Sequence, residues 1–218
     1  MNSHRLFACG IIAFALTGAA AAQDTSQTES QPLNSQSNEY ITSPPLIEHS
    51  YPLANEAARK KTTKLLQQLV VDLLATFNNY KEAHWNLTGP LFLPLHEYYQ
   101  DWADQYNEYA DTFAERILAM GWSVDGRYAT IARTTTIPTM PAGYLSDDDT
   151  LRLLITRLTV LQTEVYKNIS ATEQSDPTTS NLLQELAHDL DYNLWQLRIH
   201  LTRPGSSGQQ LPWTPRLK

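Results

Sequence analysis

The chain has 218 residues, with 16 Lys and Arg against 23 Asp and Glu, a formal net charge of −7 and a single Cys. This length fits one domain with appendages, and a hydrophobic content of 42% is enough for a packed core. One Cys excludes a disulfide scaffold and a cysteine-ligated zinc or iron–sulfur centre, and the acidic balance argues against a surface that binds nucleic-acid phosphates.

The first 22 residues have the layout of a secretory signal peptide. His4 and Arg5 form a short basic region, an apolar run follows, and Ala20-Ala21-Ala22 supplies the small residues of a cleavage site. The alternative is a membrane anchor, but residues 6–22 are at the lower limit of a spanning length. We therefore expect residues 1–22 to be removed, and the protein to be periplasmic or secreted, with no membrane association afterwards.

The segments that flank the central region differ from it in composition. Residues 23–51 are rich in Gln, Ser, Thr, Asn and Pro and contain acidic residues but no Lys or Arg. This composition predicts a disordered acidic arm. After Arg203, a Pro- and Gly-containing stretch indicates a C-terminal tail over residues 204–218. The folded domain is therefore expected over residues 52–203.

Within that domain, apolar residues recur with the period of an α-helix. The pattern predicts four long helices, over about residues 53–85, 91–120, 146–172 and 177–202. Four helices in one domain favour a four-helix bundle. The connection over residues 122–145 is long enough to cross the bundle. The predicted fold class is therefore all-α, a ferritin-like bundle with a long crossover between the second and third helices.

The second helix carries two distinct stripes. The apolar stripe predicts a core face and contains Leu95, Tyr99, Trp102, Tyr106, Tyr109, Phe113, Ile117 and Met120. A polar stripe lies about 150° away at 100° per residue. It contains His96, Gln100, Asp104, Asn107, Asp111 and Glu115. A solvated face and a ligand-bearing face are both consistent with such a stripe.

The spacing of the polar residues favours ligands. Asp111 and Glu115 are one helical turn apart, so their carboxylates can converge on one cation, and His84 lies just across a turn from His96. His96 and Asp111 are, however, about 22 Å apart at 1.5 Å per residue, which no metal ion spans. The sequence therefore predicts a site between two copies related by a two-fold axis, with histidines from one copy and acids from the other.

The segment from Lys81 to Gly121 resembles the signature region of the Dps family, the dodecameric mini-ferritins. The matching pieces are HWN-x-x-G-x-x-F over 84–92, the pair His96-Glu97, and Asp111-x-x-x-Glu115-Arg116. The resemblance covers about residues 52–202.

The resemblance implies a homo-oligomer, a dodecamer built from isologous dimers, that binds iron at its dimer interfaces. Fe(II) would be oxidised by peroxide or oxygen there, and Fe(III) stored in the hollow shell. The metal ligands would be His84, His96, Asp111 and Glu115. Trp85 would be the catalytic aromatic residue beside them, with a role in quenching radicals.

One position departs from the family pattern. Gln100 stands where the family usually has Asp, and its neutral amide predicts weaker binding of a second ion. The alternative function is therefore a non-catalytic metal-binding shell, with Zn²⁺ as an alternative ion, and a monomeric bundle is a third. A metal centre inside one bundle needs two Glu-x-x-His pairs, and the chain has one, Glu185 and His188. DNA binding is not expected, because the arm contains no Lys or Arg.

Overall fold

The computed structural model describes residues 56–202 of the chain. The four predicted helices are confirmed as α1 (Glu56–Asn86), α2 (Phe92–Ala119), α4 (Asp147–Thr172) and α5 (Pro177–His200). Three shorter elements were not predicted: β1 (Leu87–Thr88), α3 (Tyr128–Thr134) and β2 (Leu145–Ser146). The signal peptide, the acidic arm and the C-terminal tail lie outside the described residues and stay predictions.

Side-chain contacts at the two ends of α2 fix the direction of the helices. At its beginning, the backbone N–H of Leu91 donates to Asp147 Oδ2 at 3.1 Å, so α2 and α4 begin at the same end of the bundle. At its end, Arg116 pairs with Asp176, which immediately precedes α5, at 2.8 Å. Since α2 and α4 therefore run parallel, their connection must travel the length of the bundle. The predicted all-α ferritin-like fold with a crossover is confirmed.

The crossover is fastened along α1 by buried polar groups. Gln67 Nε2 donates to the backbone oxygen of Asp125 at 2.9 Å, and Asn79 Nδ2 donates to that of Pro138 at 2.9 Å. Between them, the carboxylate of Asp72 accepts hydrogen bonds from the backbone N–H of Thr136 and from neighbouring side chains. Buried polar groups need such partners, so these contacts fix the register of the crossover against α1.

The predicted core face of α2 is buried as expected. Seven of its eight residues are buried, and Tyr109 is half-buried. Tyr80 of α1 stacks on Tyr106 at 5.4 Å between ring centroids and meets Tyr99 and Trp102 edge-on. Aromatic pairs in these geometries stabilise beyond the area that they bury. None of the helices between residues 56 and 202 combines the length and the apolar composition that a membrane-spanning segment needs.

A tight turn joins α1 to α2 and sets the position of the histidines. β1 pairs in parallel with β2, with Leu87 opposite Leu145, which ties the end of α1 to the beginning of α4. Gly89 has φ +126°, and a Cβ atom there would lie 2.6 Å from Asp147 Oδ2. Only glycine combines this backbone angle with this close approach.

Candidate metal centre

His84 in the last turn of α1 and His96 near the beginning of α2 are stacked, with ring centroids 3.7 Å apart and planes at 19°. The Nδ1 atom of His84 is 2.7 Å from the backbone oxygen of His96, and Nδ1 of His96 is 2.9 Å from that of His84. A carbonyl oxygen can only accept, so both rings carry a hydrogen on Nδ1. In the neutral ring this leaves the lone pair on Nε2, the arrangement that suits metal ligation.

The surroundings of His84 favour its neutral form. Burial lowers its pKa from the usual value, the hydrogen bond with the backbone of His96 acts in the opposite direction, and the charge on Lys81 adds to the lowering. Phe92 stacks on His96 at 5.0 Å between centroids. The pair of imidazoles is therefore arranged before any ion binds.

The two acids lie at the other end of the same helix face. Asp111 and Glu115 are exposed and one turn apart on α2. The helical rise puts Asp111 about 22 Å from His96. Among residues 56–202, no three His, Cys, Asp or Glu side chains of one chain converge to hold a metal ion. The predicted ligands therefore form two separate predicted half-sites, with the histidines at one end of α2 and the carboxylates at the other.

Gln100, where the sequence departs from the motif that it resembles, contacts a lysine of α1. Lys81 Nζ donates to Gln100 Oε1, and Gln100 Nε2 donates to Asp104 Oδ2 at 2.8 Å. Lys81 also lies over the ring of Trp85, 5.3 Å from its centroid. Sequence reasoning missed Lys81, although its position three residues before His84 places both on one face of α1.

Large apolar side chains are exposed beside both half-sites. Trp85 is 62% exposed, and Phe92 and Leu93 are exposed near the histidines. Leu118, close to Glu115, is 55% exposed. Apolar groups collected on one face of a folded chain mark an interaction surface more often than scattered ones do.

The single Glu-x-x-His pair lies elsewhere. Glu185 and His188 are exposed on α5 and line an open cavity of about 630 Å³. The neighbouring Asp189 accepts hydrogen bonds from Gln105 at 2.8 Å and from Tyr109 at 2.6 Å. These side chains therefore face the surface rather than the interior of the bundle.

Comparison with known proteins gives consistent matches. A family model described as Ferritin-like domain matches residues 63–204. The chain is 32% identical over 185 residues to DNA protection during starvation protein 2 of Deinococcus radiodurans, covering 85% of this chain and 72% of that protein. It is 33% identical over 122 residues to a DNA protection during starvation protein of Agrobacterium fabrum, covering 56% of this chain and 75% of the relative.

Solved structures agree with these matches. The crystal structure of a Dps protein from Deinococcus radiodurans superposes with a TM-score of 0.66 at 34% identity, covering 69% of this chain and 91% of that one. A Mycobacterium smegmatis Dps structure superposes with a TM-score of 0.70 at 26% identity, covering 74% and 98%.

Proposed function

We propose that this chain, which belongs to the Dps family of ferritin-like proteins, oxidises Fe(II) at a centre shared by two copies and sequesters Fe(III) inside a homo-oligomeric shell. The oxidant is hydrogen peroxide or oxygen. The ligands are His84 and His96 of one copy with Asp111 and Glu115 of its mate. Oligomer formation and iron handling are consistent with membership of this family.

The observation that carries the proposal is the separation of the two half-sites on one helix face. A two-fold axis beside the middle of α2 would bring the histidine end of one copy against the acidic end of the other. Two equivalent centres would then form per dimer. The exposed Trp85, Phe92 and Leu118 beside the half-sites support this arrangement, because a mate would cover them.

The side chains supply complementary parts of the centre. The neutral imidazole of His84 can bind a cation through Nε2 without first losing a proton, since its pKa is lowered by burial. Asp111 and Glu115 bring the negative charge that offsets a divalent cation. Trp85, next to His84 in the chain, would give an electron to a radical formed there.

The chemistry itself belongs to iron and the oxidant. Each Fe(II) ion gives up one electron. One hydrogen peroxide molecule takes two electrons and two protons and becomes two water molecules, so no hydroxyl radical needs to be released. The Fe(III) ions then hydrolyse to a mineral in the shell.

The contact between Gln100 and Lys81 favours a second candidate function. The amide oxygen of Gln100 is the atom that could replace the family's carboxylate as a ligand, and it already accepts a hydrogen bond from Lys81. A centre without that ligand can hold a metal ion without efficient oxidation. The alternative is therefore a non-catalytic metal-binding shell, with Zn²⁺ as the alternative bound ion.

Fe(II) oxidation by the purified oligomer tests the proposal. Fe(II) is added without oxygen, peroxide follows, and the absorbance of Fe(III) is recorded beside a variant with His84→Ala and Glu115→Ala. Oxidation that is faster with the natural protein supports the ferroxidase. Equal rates in the two proteins would rule out the ferroxidase function. The non-catalytic metal-binding shell would then remain, and metal analysis of the same samples would test it.

The proposed cellular location rests on the sequence alone. We also propose that the protein acts in the periplasm or outside the cell, because residues 1–22 have the layout of a signal peptide.

A further inference from the structure

We propose that the ammonium group of Lys81 takes the place of a second metal ion, so that each shared centre binds one ion instead of two. This inference rests on the function proposed above and concerns the composition of the same site. The contacts that Lys81 makes with Gln100 and Trp85 carry it.

The position of Lys81 follows from the antiparallel packing of α1 and α2. Lys81 precedes His84 by three residues on α1, and Gln100 follows His96 by four residues on α2. Lys81 and Gln100 therefore both lie about one helical turn from the stacked imidazoles, in the same direction along the bundle. The ammonium group therefore lies beside the histidine half-site, on the side of Gln100.

Several groups hold the ammonium group in place. Gln100 Oε1 accepts its hydrogen bond, and the face of the Trp85 ring lies 5.3 Å from Nζ, within the range of a cation–π contact. The other end of the Gln100 amide is fixed by its hydrogen bond to Asp104 Oδ2 at 2.8 Å. Lys81, Gln100 and Asp104 form a chain in which a positive and a negative group flank a neutral amide.

The contacts among Lys81, Gln100 and Asp104 disfavour binding of a second divalent cation in two ways. The amide oxygen of Gln100 would have to exchange the ammonium group for a metal ion, and it offers no net charge in return. The positive charge of Lys81 would in addition repel an ion placed next to it. A carboxylate introduced at position 100 alone would pair with Lys81 rather than recruit a metal ion.

One ion per centre has a consequence for the reaction. Reduction of one peroxide needs two electrons, and each Fe(II) supplies only one. A centre with a single ion delivers only one electron, so a second Fe(II) must reach the same peroxide before its reduction to two water molecules is complete. Oxidation in this chain should therefore be slower than at a centre that holds two ions together.

Metal stoichiometry measured by calorimetry tests the inference without relying on oxidation. The assembled protein is titrated with Zn²⁺, and the sites that disappear in the His84→Ala variant are counted as the shared centre. The same titration is made on Gln100→Asp, on Lys81→Met, and on the double variant with both changes. Gln174→Asp, at an exposed position just after α4, and Lys64→Met, at an exposed position of α1, are the matched charge controls, because both lie outside the polar stripe of α2.

We expect one Zn²⁺ per chain in the natural protein, in Gln100→Asp and in both controls, and two per chain in the double variant. Two ions per chain in the natural protein, or one in the double variant whose fold and assembly are intact, would overturn the inference. Both of these outcomes leave the shared centre itself standing. Absence of any site sensitive to His84 would instead overturn the proposed function, and this inference with it.

Discussion

His84 and His96 donate hydrogen bonds to each other's backbone oxygens, at 2.7 and 2.9 Å from Nδ1. This reciprocal contact closes the turn between α1 and α2 and directs the lone pair of each neutral ring to Nε2. The same two side chains thus hold the hairpin together and would, in the proposed centre, also bind the metal ion. Variants at the neighbouring turn should therefore affect both stability and metal binding.

The turn itself provides the first prediction. Gly89→Ala should lower the free energy of unfolding by about 1–3 kcal/mol, because alanine is strained at φ +126° and its Cβ would meet Asp147 at 2.6 Å. Thermal and chemical denaturation followed by circular dichroism measure the change. Gly126→Ala is the control, because the nearest atom to its Cβ would be Leu74 Cδ1 at 3.5 Å. Equal stability of the two variants would contradict this role for Gly89.

The second prediction concerns a buried ion pair between Arg116 of α2 and Asp176, the residue just before α5. Arg116 and Asp176 have side chains only 10% and 3% exposed. Arg116→Met should cost about 3–5 kcal/mol, because it leaves a buried carboxylate without its charged partner. In contrast, Arg152 pairs with Asp148 at the surface, so Arg152→Met should cost less than about 1 kcal/mol. Denaturation of both variants and of the natural protein measures the two losses in unfolding free energy. Similar losses in Arg116→Met and Arg152→Met would contradict the prediction.

The third prediction concerns acid stability. Hydrogen bonds from Arg127 are the main reason that the pKa of Asp125 falls from 3.8 to about 2, and Thr130 adds to the effect. A carboxyl group whose pKa is depressed in the folded state stabilises it fully above the unfolded pKa, and this contribution is lost as the pH falls through the folded pKa. It amounts to about 2 kcal/mol.

Asp125→Asn removes this contribution. The natural protein should therefore exceed the variant in stability by a constant margin above about pH 4, and the margin should shrink as the pH falls toward about 2. Unfolding of both proteins at a series of pH values measures it. A margin that does not change with pH would show that the Asp125 carboxylate is not stabilised in this way.

The fold was largely predictable because its signals are local. Glycine, proline and the helical period fixed the four long helices, and the apolar stripe from Leu95 to Met120 identified the buried face of α2. The helix α3 was missed because Tyr128–Thr134 is short and is held by contacts with α1 that are distant in sequence, such as that between Gln68 and Thr134.

The site was predictable only in part, for the same reason. The spacing of His84, His96, Asp111 and Glu115 indicated ligands, but no sequence pattern reports which Nδ1 hydrogen bonds form or that the two rings stack. The contact between Lys81 and Gln100 joins two helices, so neither helix predicts it alone. The family pattern therefore identified Gln100 as the residue that differs, but it did not identify Lys81 as the residue that contacts it.

The acidic composition provides the fourth prediction. With a net charge of −7 and no Lys or Arg in the arm, the full assembly should not shift duplex DNA in a gel at physiological ionic strength. A variant with Gln27→Lys, Gln31→Lys and Gln36→Lys serves as the comparison, because it adds positive charge only to the arm. Retardation of DNA by the natural protein would contradict this expectation, and retardation only by the variant would support it.

Mixing two inactive variants tests the shared centre most directly. His84→Ala and Glu115→Ala proteins are unfolded, combined in equal amounts and refolded, and Fe(II) oxidation is measured. In a mixed dimer, the intact histidines of one chain meet the intact acids of the other, so about a quarter of the natural centres should return. A mixture of His84→Ala with His96→Ala should recover none, since both changes damage the same half-site. We predict recovery in the first mixture only; activity no higher than that of the separate variants would contradict a centre built from two chains.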